Sequence, residues 1–298
     1  MEGICESSNI MKKILKHELY RGIFCYRTLL ILAIGLLLVA GQLAAYYQIH
    51  LMNLKQDSQW ILSDGSYAIG CYPDNMYESF LGGEGYTFFG ELFYSFLPIM
   101  AVFSYGTSYF KDKRDGYANL LITRIGKNNY FVSKLIASFL LGGTFCVIPY
   151  FVSLFASSLL YPANYPNVMS WDSPLIERSL MSGVYYVHPM IYMLAYSVIV
   201  FLVGGILALC ALIASVYAKN EMVVIFCPYV LYALQEAVFM KMGLSKWALK
   251  ILVFQAKYSG AIIDVSYIQV LAYLIFILTI EGGIFLWKTM KIEITSLS

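Results

Sequence analysis

Charge is scarce in this chain of 298 residues: Asp, Glu, Lys and Arg together make up only 13% of it, roughly half the share of an ordinary soluble domain. That shortage excludes a water-facing surface over most of the fold. The 20 basic and 18 acidic residues leave a formal charge of +2, and no basic tract stands apart from the flanks of apolar runs, so a nucleic-acid partner is not expected. Histidine occurs three times, at His17, His50 and His188, each at the edge of an apolar segment. The six cysteines (Cys5, Cys25, Cys71, Cys146, Cys210 and Cys227) form no C-x-x-C and no Cys/His cluster, which excludes a zinc-type site. The chain also lacks both G-x-S-x-G and G-x-x-x-x-G-K-[ST]. Serine-hydrolase chemistry and nucleotide hydrolysis are therefore not expected of it, and neither is a bound cofactor of its own. The first residues carry acids and no small-residue cleavage site, so no cleaved signal peptide is expected. No internal repeat is visible, which argues against an ion-coupled transporter built from inverted halves.

What is present is apolar. Hydrophobic residues make up 60% of the chain, with 26 Tyr and 19 Phe, and the mean hydropathy is +0.68. These values describe an α-helical, multi-pass membrane protein. A span needs roughly 17–25 mostly apolar residues, and six segments qualify, at about 28–49, 89–110, 132–160, 189–217, 222–240 and 265–287. The fifth is the weakest, because Glu221 and Glu236 bracket it and Pro228 interrupts it. The connections at 50–88 and 161–188 are too short for a soluble domain, so the chain reads as one transmembrane domain.

Lys and Arg mark the inner side of a membrane protein. With the N-terminus inside and six crossings, fourteen of the 20 basic residues fall inside, and Cys71 is the one external cysteine. That placement excludes an external disulfide within the chain. If the fifth segment were re-entrant, the inner count would rise to sixteen, so charge alone leaves five and six crossings open. The difference rests on the lysines of "LSKWALKILVFQAK", residues 244–257. There Leu244, Trp247, Ile251 and Phe254 share a helical face while Lys246, Lys250 and Lys257 lie off it. This predicts an interfacial helix anchored by Trp247, and either leaflet would hold it.

The stretch "KDKRDGYANLLITRIGKNNYFVSK", residues 111–134, holds charge and also a helix-period apolar face made by Tyr117, Leu120, Leu121 and Ile125. Asp112, Asp115, Asn119 and Thr123 form a polar stripe opposite, with Gly116 beside it. Two readings follow from the residues: an interfacial helix that links two spans, or a helix that docks a partner on the inner side. The order Gly116, Leu120-Leu121, Thr123-Arg124, Tyr130 and Ser133-Lys134 resembles the loop between the second and third spans of type-2 ATP-binding cassette (ABC) exporter permeases. The start "KKILKHELYRGIFCYRTLL" is similar to the amphipathic connecting helix of that family, here at about 10–26. One departure is Ile122, where the family often has Pro.

The resemblance implies an all-α membrane protein of six transmembrane helices, with an N-terminal amphipathic connecting helix, a cytoplasmic coupling helix and an outer re-entrant helix before the last span. It implies coupling residues at Gly116, Tyr117, Leu120, Leu121, Thr123 and Arg124. It further implies a partner ABC ATPase that carries ATP and Mg, a second permease copy or paralogue, and both termini on the cytoplasmic side of a bacterial cell membrane. In that family the second and fifth spans line the substrate path, which would offer Glu91, Phe93, Phe96, Tyr229, Tyr232 and Glu236 to a peptide or an amphipathic small molecule. Physically, Glu91, Glu236 and Glu281 lie at or in spans, and an acid there is expected to be hydrated or paired and not in contact with lipid. The acids of the loop at 50–88 (Asp57, Asp64, Asp74, Glu78 and Glu84) read as a solvated surface.

Overall fold

Inside a bilayer a backbone must satisfy its own polar groups, so a long apolar run folds as a helix. Among the described residues, six helices are long and apolar enough to cross a membrane. The computed structural model describes residues 2–60, 62, 74–170 and 173–291, with backbone alone at 2–10 and 54–60. Its elements are α1 (Glu2–Ile23), α2 (Tyr26–Trp60), α3 (Met76–Ser79), α4 (Phe88–Ala101), α5 (Ser108–Arg114), α6 (Tyr117–Ile125), α7 (Lys127–Leu160), α8 (Ser182–Val187), α9 (Pro189–Tyr217), α10 (Glu221–Lys241), α11 (Leu249–Val253), α12 (Gln255–Tyr258) and α13 (Tyr267–Lys291). No strand occurs among the described residues. The candidate spans are α2, α4, α7, α9, α10 and α13.

Several boundaries differ from the sequence expectation. The N-terminal helix starts at Glu2 and ends at Ile23, and α2 begins three residues later. The second span ends at Gly106, in a π-turn over Val102–Gly106. Pro98 lies one turn upstream and removes a backbone donor, a common origin of such a widened turn. Residues 244–257 do not form one interfacial helix. They make a 3₁₀ turn at Ser245–Trp247 and then the short pieces α11 and α12. Ile251, Leu252, Val253 and Phe254 are all fully buried, so this segment has no free amphipathic face and is packed into one end of the bundle.

The acidic loop also differs from expectation. Asp57, Asp64 and Cys71 lie outside the residues whose side chains are described, but Asp74, Glu78 and Glu84 are buried and not solvated. Asp74 pairs with His50 and lies 3.5 Å from the Tyr46 hydroxyl. Glu84 accepts from the Thr87 hydroxyl at 2.6 Å and from the backbone of Tyr86 and Thr87, while Thr87 caps α4 by accepting from Gly90 N at 3.2 Å. Glu84 therefore holds the start of the second span, and Asp74 ties the loop to α2.

The fifth helix runs the length of the bundle. At its start Glu221 pairs with Arg27, beside the first turn of α2, and lies 3.7 Å from Arg114. Near its finish Glu236 pairs with Lys250 of α11 at 3.0 Å, and the neighbouring Lys257 of α12 reaches Glu91 at the start of α4, at 2.7 Å. The lysines that obscured the charge count thus sit at the end of the bundle opposite α1 and α6. Lys127 donates to Met290 O at 3.0 Å, which puts the end of α13 beside the start of α7, at the same end as α1. α10 thus reaches from the end that holds α1 and α6 to the end that holds α11 and α12.

The interior belongs to α4, α7 and α9. Of α9's apolar stretch 67% is buried, against 17% for α13. Close approach of α7 and α9 depends on Gly142 and Gly204: a Cβ on Gly142 would stand 2.9 Å from Gly204 O, and one on Gly204 would stand 2.9 Å from the Cys146 side chain. Small residues allow such contact where lipid supplies no hydrophobic drive between helices. Gly142→Val should therefore lower the thermal midpoint of the purified chain, by about 1–3 kcal/mol of stability. Gly283→Val, on a helix surface with nothing within 4 Å, should change little. Equal midpoints for both variants would show that this contact does not hold α7 to α9.

Candidate functional site

One charge cluster joins three elements at the loop end of the bundle. Glu18 of α1, Asp112 of α5 and Lys134 of α7 are each no more than 1% exposed. Lys134 Nζ lies 2.7 Å from Glu18 Oε2 and 2.6 Å from Asp112 Oδ2. Arg21, one turn after Glu18, places Nη2 2.7 Å from Asp112 Oδ1. Tyr130 donates to Asp112 at 3.0 Å, and Tyr105 donates to Glu18. The Lys134 ammonium also stands 4.9 Å from the centre of the Tyr105 ring. Two acids and two bases balance, which is the condition for burying charge at all. Burial pushes the Asp112 carboxyl up, but the Lys134 charge and the ion pair with Arg21 outweigh it and hold it below its ordinary value.

Local sequence positions each member. Glu18 and Arg21 are three apart on α1 and so share a face. Gly116 adopts φ 71° and separates α5 from α6, a left-handed conformation that glycine takes without strain. The reading of residues 112–125 as one helix with a polar stripe is thereby corrected: Asp112 lies on a different helix from Asn119 and Thr123, and it faces inward. Gly116 serves the turn and not close packing, since nothing lies within 4 Å of where its Cβ would be. Gly126, at φ 82°, ends α6 in the same manner.

Within α6, Ala118 and Ile122 are the buried residues. Leu121 and Ile125 flank them, half-buried against the bundle. Tyr117 is half-buried beneath the Arg21 guanidinium, 5.2 Å from its ring centre. Leu120 is 60% exposed, and Thr123 and Arg124 are exposed beside it. Thr123 uses its hydroxyl locally, on Asn119 O at 3.1 Å and Leu120 O at 3.0 Å. The sequence face omitted Ile122, which is the residue that seats the helix.

The residues offered as a substrate path are dispersed. Phe93 and Tyr232 are buried in the packed interior, Phe96 is half-buried against it, and Tyr229 is exposed on α10. Glu91 and Glu236 are taken up by Lys257 and Lys250. Around Phe93 and Tyr232 lies a tyrosine network that the sequence reading did not resolve. The Tyr94 and Tyr196 hydroxyls are 3.0 Å apart, and Tyr196 reaches Val253 O. Tyr192 donates to Gln255 at 3.0 Å, and the Tyr94 ring stacks on Phe254 at 4.4 Å. These contacts latch α11 and α12 onto α4 and α9, closing the bundle at the end away from the charge cluster. Among the described residues no group of three His, Cys, Asp or Glu is placed to hold a metal ion.

The cluster was not identified from the sequence, although one signal was present. Lys134 stands within the apolar run "YFVSKLIASFL", and a basic residue inside a span requires acidic or carbonyl partners. No protein-family model, curated protein or solved structure matches this chain.

Lys134→Met leaves two buried carboxylates without their shared cation, a loss of about 3–5 kcal/mol. Adding Glu18→Gln should recover part of it, because a neutral amide no longer needs that cation. Thermal unfolding of the two single variants and the double variant measures the coupling. Simple additivity of the two changes would mean that Glu18 and Lys134 do not interact.

Proposed function

We propose that this chain is the membrane-spanning subunit of an ATP-driven ABC exporter, working as a dimer with a separate ATPase and moving a peptide or an amphipathic small molecule. The observation that carries this reading is α6: a short helix outside the span bundle, bounded by two glycines at positive φ, seated by Ala118 and Ile122, and presenting Leu120, Thr123 and Arg124 outward. A connection between two spans needs no such helix. In this reading an ATPase takes hold of that outward face, and Arg124 meets an acidic group at the partner's rim. A push on α6 passes through the turn at Gly116 to Asp112, and from there to Lys134 on α7 and to Glu18 and Arg21 on α1. Nucleotide-driven closure of the ATPase then becomes a tilt of the second and third spans together with the N-terminal helix.

The same reading places α1, α6 and the end of α13 in the cytoplasm, and α11 and α12 outside. With the native cysteines removed, Met242→Cys should label with an impermeant thiol reagent on intact bacterial cells, and Asp115→Cys should label only after lysis. The opposite pattern would invert the topology.

The docking test separates the two leucines. Leu120→Asp should leave the chain folded and inserted, since Leu120 is largely exposed, yet abolish export and weaken co-purification of the ATPase by about 2 kcal/mol or more, as loss of an interface anchor does. Leu121→Asp should lose both docking and stability. Full transport by Leu120→Asp, or transport by the purified chain on an ion gradient without ATPase, would exclude the coupling role of α6.

A further inference from the structure

Four glutamates at or beside the spans each have a basic partner. Glu18 faces Lys134, Glu91 faces Lys257, Glu221 faces Arg27 and Glu236 faces Lys250. Glu281 of α13 has no ion pair among the described residues, and its Oε2 is buried without a hydrogen-bond partner. It lines a cleft of about 240 Å³ between α9, α10 and α13, walled by Ile206, Leu207, Leu231 and Ile277. α10 and α13 both pack on α9, and the cleft opens between them, where Leu231 is 48% exposed. Cys210 adds a thiol to the wall, and the hydrogen-bonding groups of Gln235 and Tyr232 there are already engaged: the Gln235 amide donates to Tyr273 at 3.1 Å and its oxygen accepts from Leu249 N at 3.4 Å, while the Tyr232 hydroxyl donates to Tyr94 O at 3.3 Å. No Lys or Arg lines the cleft.

We infer that this cleft is a binding site for a hydrophobic amine, whose cationic N–H donors satisfy Glu281 and whose apolar body lies against Leu231 and Ile277. Complementarity selects the class. An acid facing an apolar, lipid-accessible space needs a cation or a donor to complete it. A neutral hydrocarbon leaves the carboxyl unpartnered, and an anion is repelled. Size sets the scale: a dry apolar cavity of about 150 Å³ takes benzene, so this cleft holds a ring with a short alkyl chain, and a longer tail would extend between α10 and α13 into lipid. The inference rests on the cleft and its acid alone and is independent of any ATPase.

Radiolabelled phenylbutylamine, with phenylbutanol as the uncharged analogue, tests it on the full chain in nanodiscs, against protein-free nanodiscs that report partition into lipid. The wild type should bind the amine saturably and at least about tenfold more tightly than the alcohol, the worth of one desolvated charge-assisted contact. Glu281→Gln should remove that preference and leave alcohol binding unchanged. Leu231→Trp, at the exposed rim where the substitution leaves the interior untouched, should weaken both ligands about tenfold or more. Equal binding of amine and alcohol by the wild type, amine binding unaltered by both substitutions, or binding no greater than in protein-free nanodiscs would each overturn the site.

Discussion

A lysine ammonium with no exposed surface, held between two carboxylates from different helices, is the constraint on which the loop end of this protein depends. Removing a charge from water costs several kcal/mol, and only excellent geometry with full partnering offsets it. Lys134 meets that condition because α1 brings Glu18, α5 brings Asp112, and the Tyr105 hydroxyl accepts its third hydrogen bond at 3.3 Å. None of these elements can shift alone without leaving a buried charge unpaired. The N-terminal helix, the approach to α6 and the third span therefore behave as one mechanical unit. That linkage follows from electrostatics without any appeal to family.

The opposite end is closed by different chemistry. There the acids sit nearer water and their partners are lysines on short, broken helices: Lys250 with Glu236 and Lys257 with Glu91. The Lys257–Glu91 pair is the more exposed of the two, and surface pairs contribute little. The larger contribution there comes from packed aromatic rings, Tyr94 on Phe254 and the tyrosines hydrogen-bonded around them. One end is thus locked by buried charge and the other by aromatic packing with neutral hydrogen bonds. The second kind of contact separates at lower electrostatic cost. Glu281 belongs to neither arrangement, and its lack of a partner sets the cleft between α9, α10 and α13 apart from the rest of the bundle.

Much of the architecture was legible in the residues. Long apolar runs in a chain poor in charge force helices, because no other element satisfies its backbone in lipid, and Gly126 announced the end of the loop helix, whereas the break at Gly116 emerged only in the fold. Less legible were the segments whose amphipathicity is local. Residues 244–257 show a clean helical face in sequence, yet Leu252 and Val253, off that face, are as buried as Ile251 and Phe254; packing against α4 and α9 overrode the pattern and broke the helix. Leu120 and Leu121 look equivalent on a wheel. Only the seating of Ile122 and Ala118 against the bundle turns one outward and the other half inward.

By itself, then, the sequence determined the class of structure, the number of apolar helices and the position of the loop helix, since these depend on composition and period over neighbouring residues. It could not determine which charge answers which. Glu18 and Lys134 are separated by 116 positions, and the acids of the loop before the second span looked solvated until the fold enclosed Asp74, Glu78 and Glu84. Whether an ionisable side chain meets water, a counter-charge or an empty apolar cleft is a property of the space around it, and that space exists only once distant helices have packed.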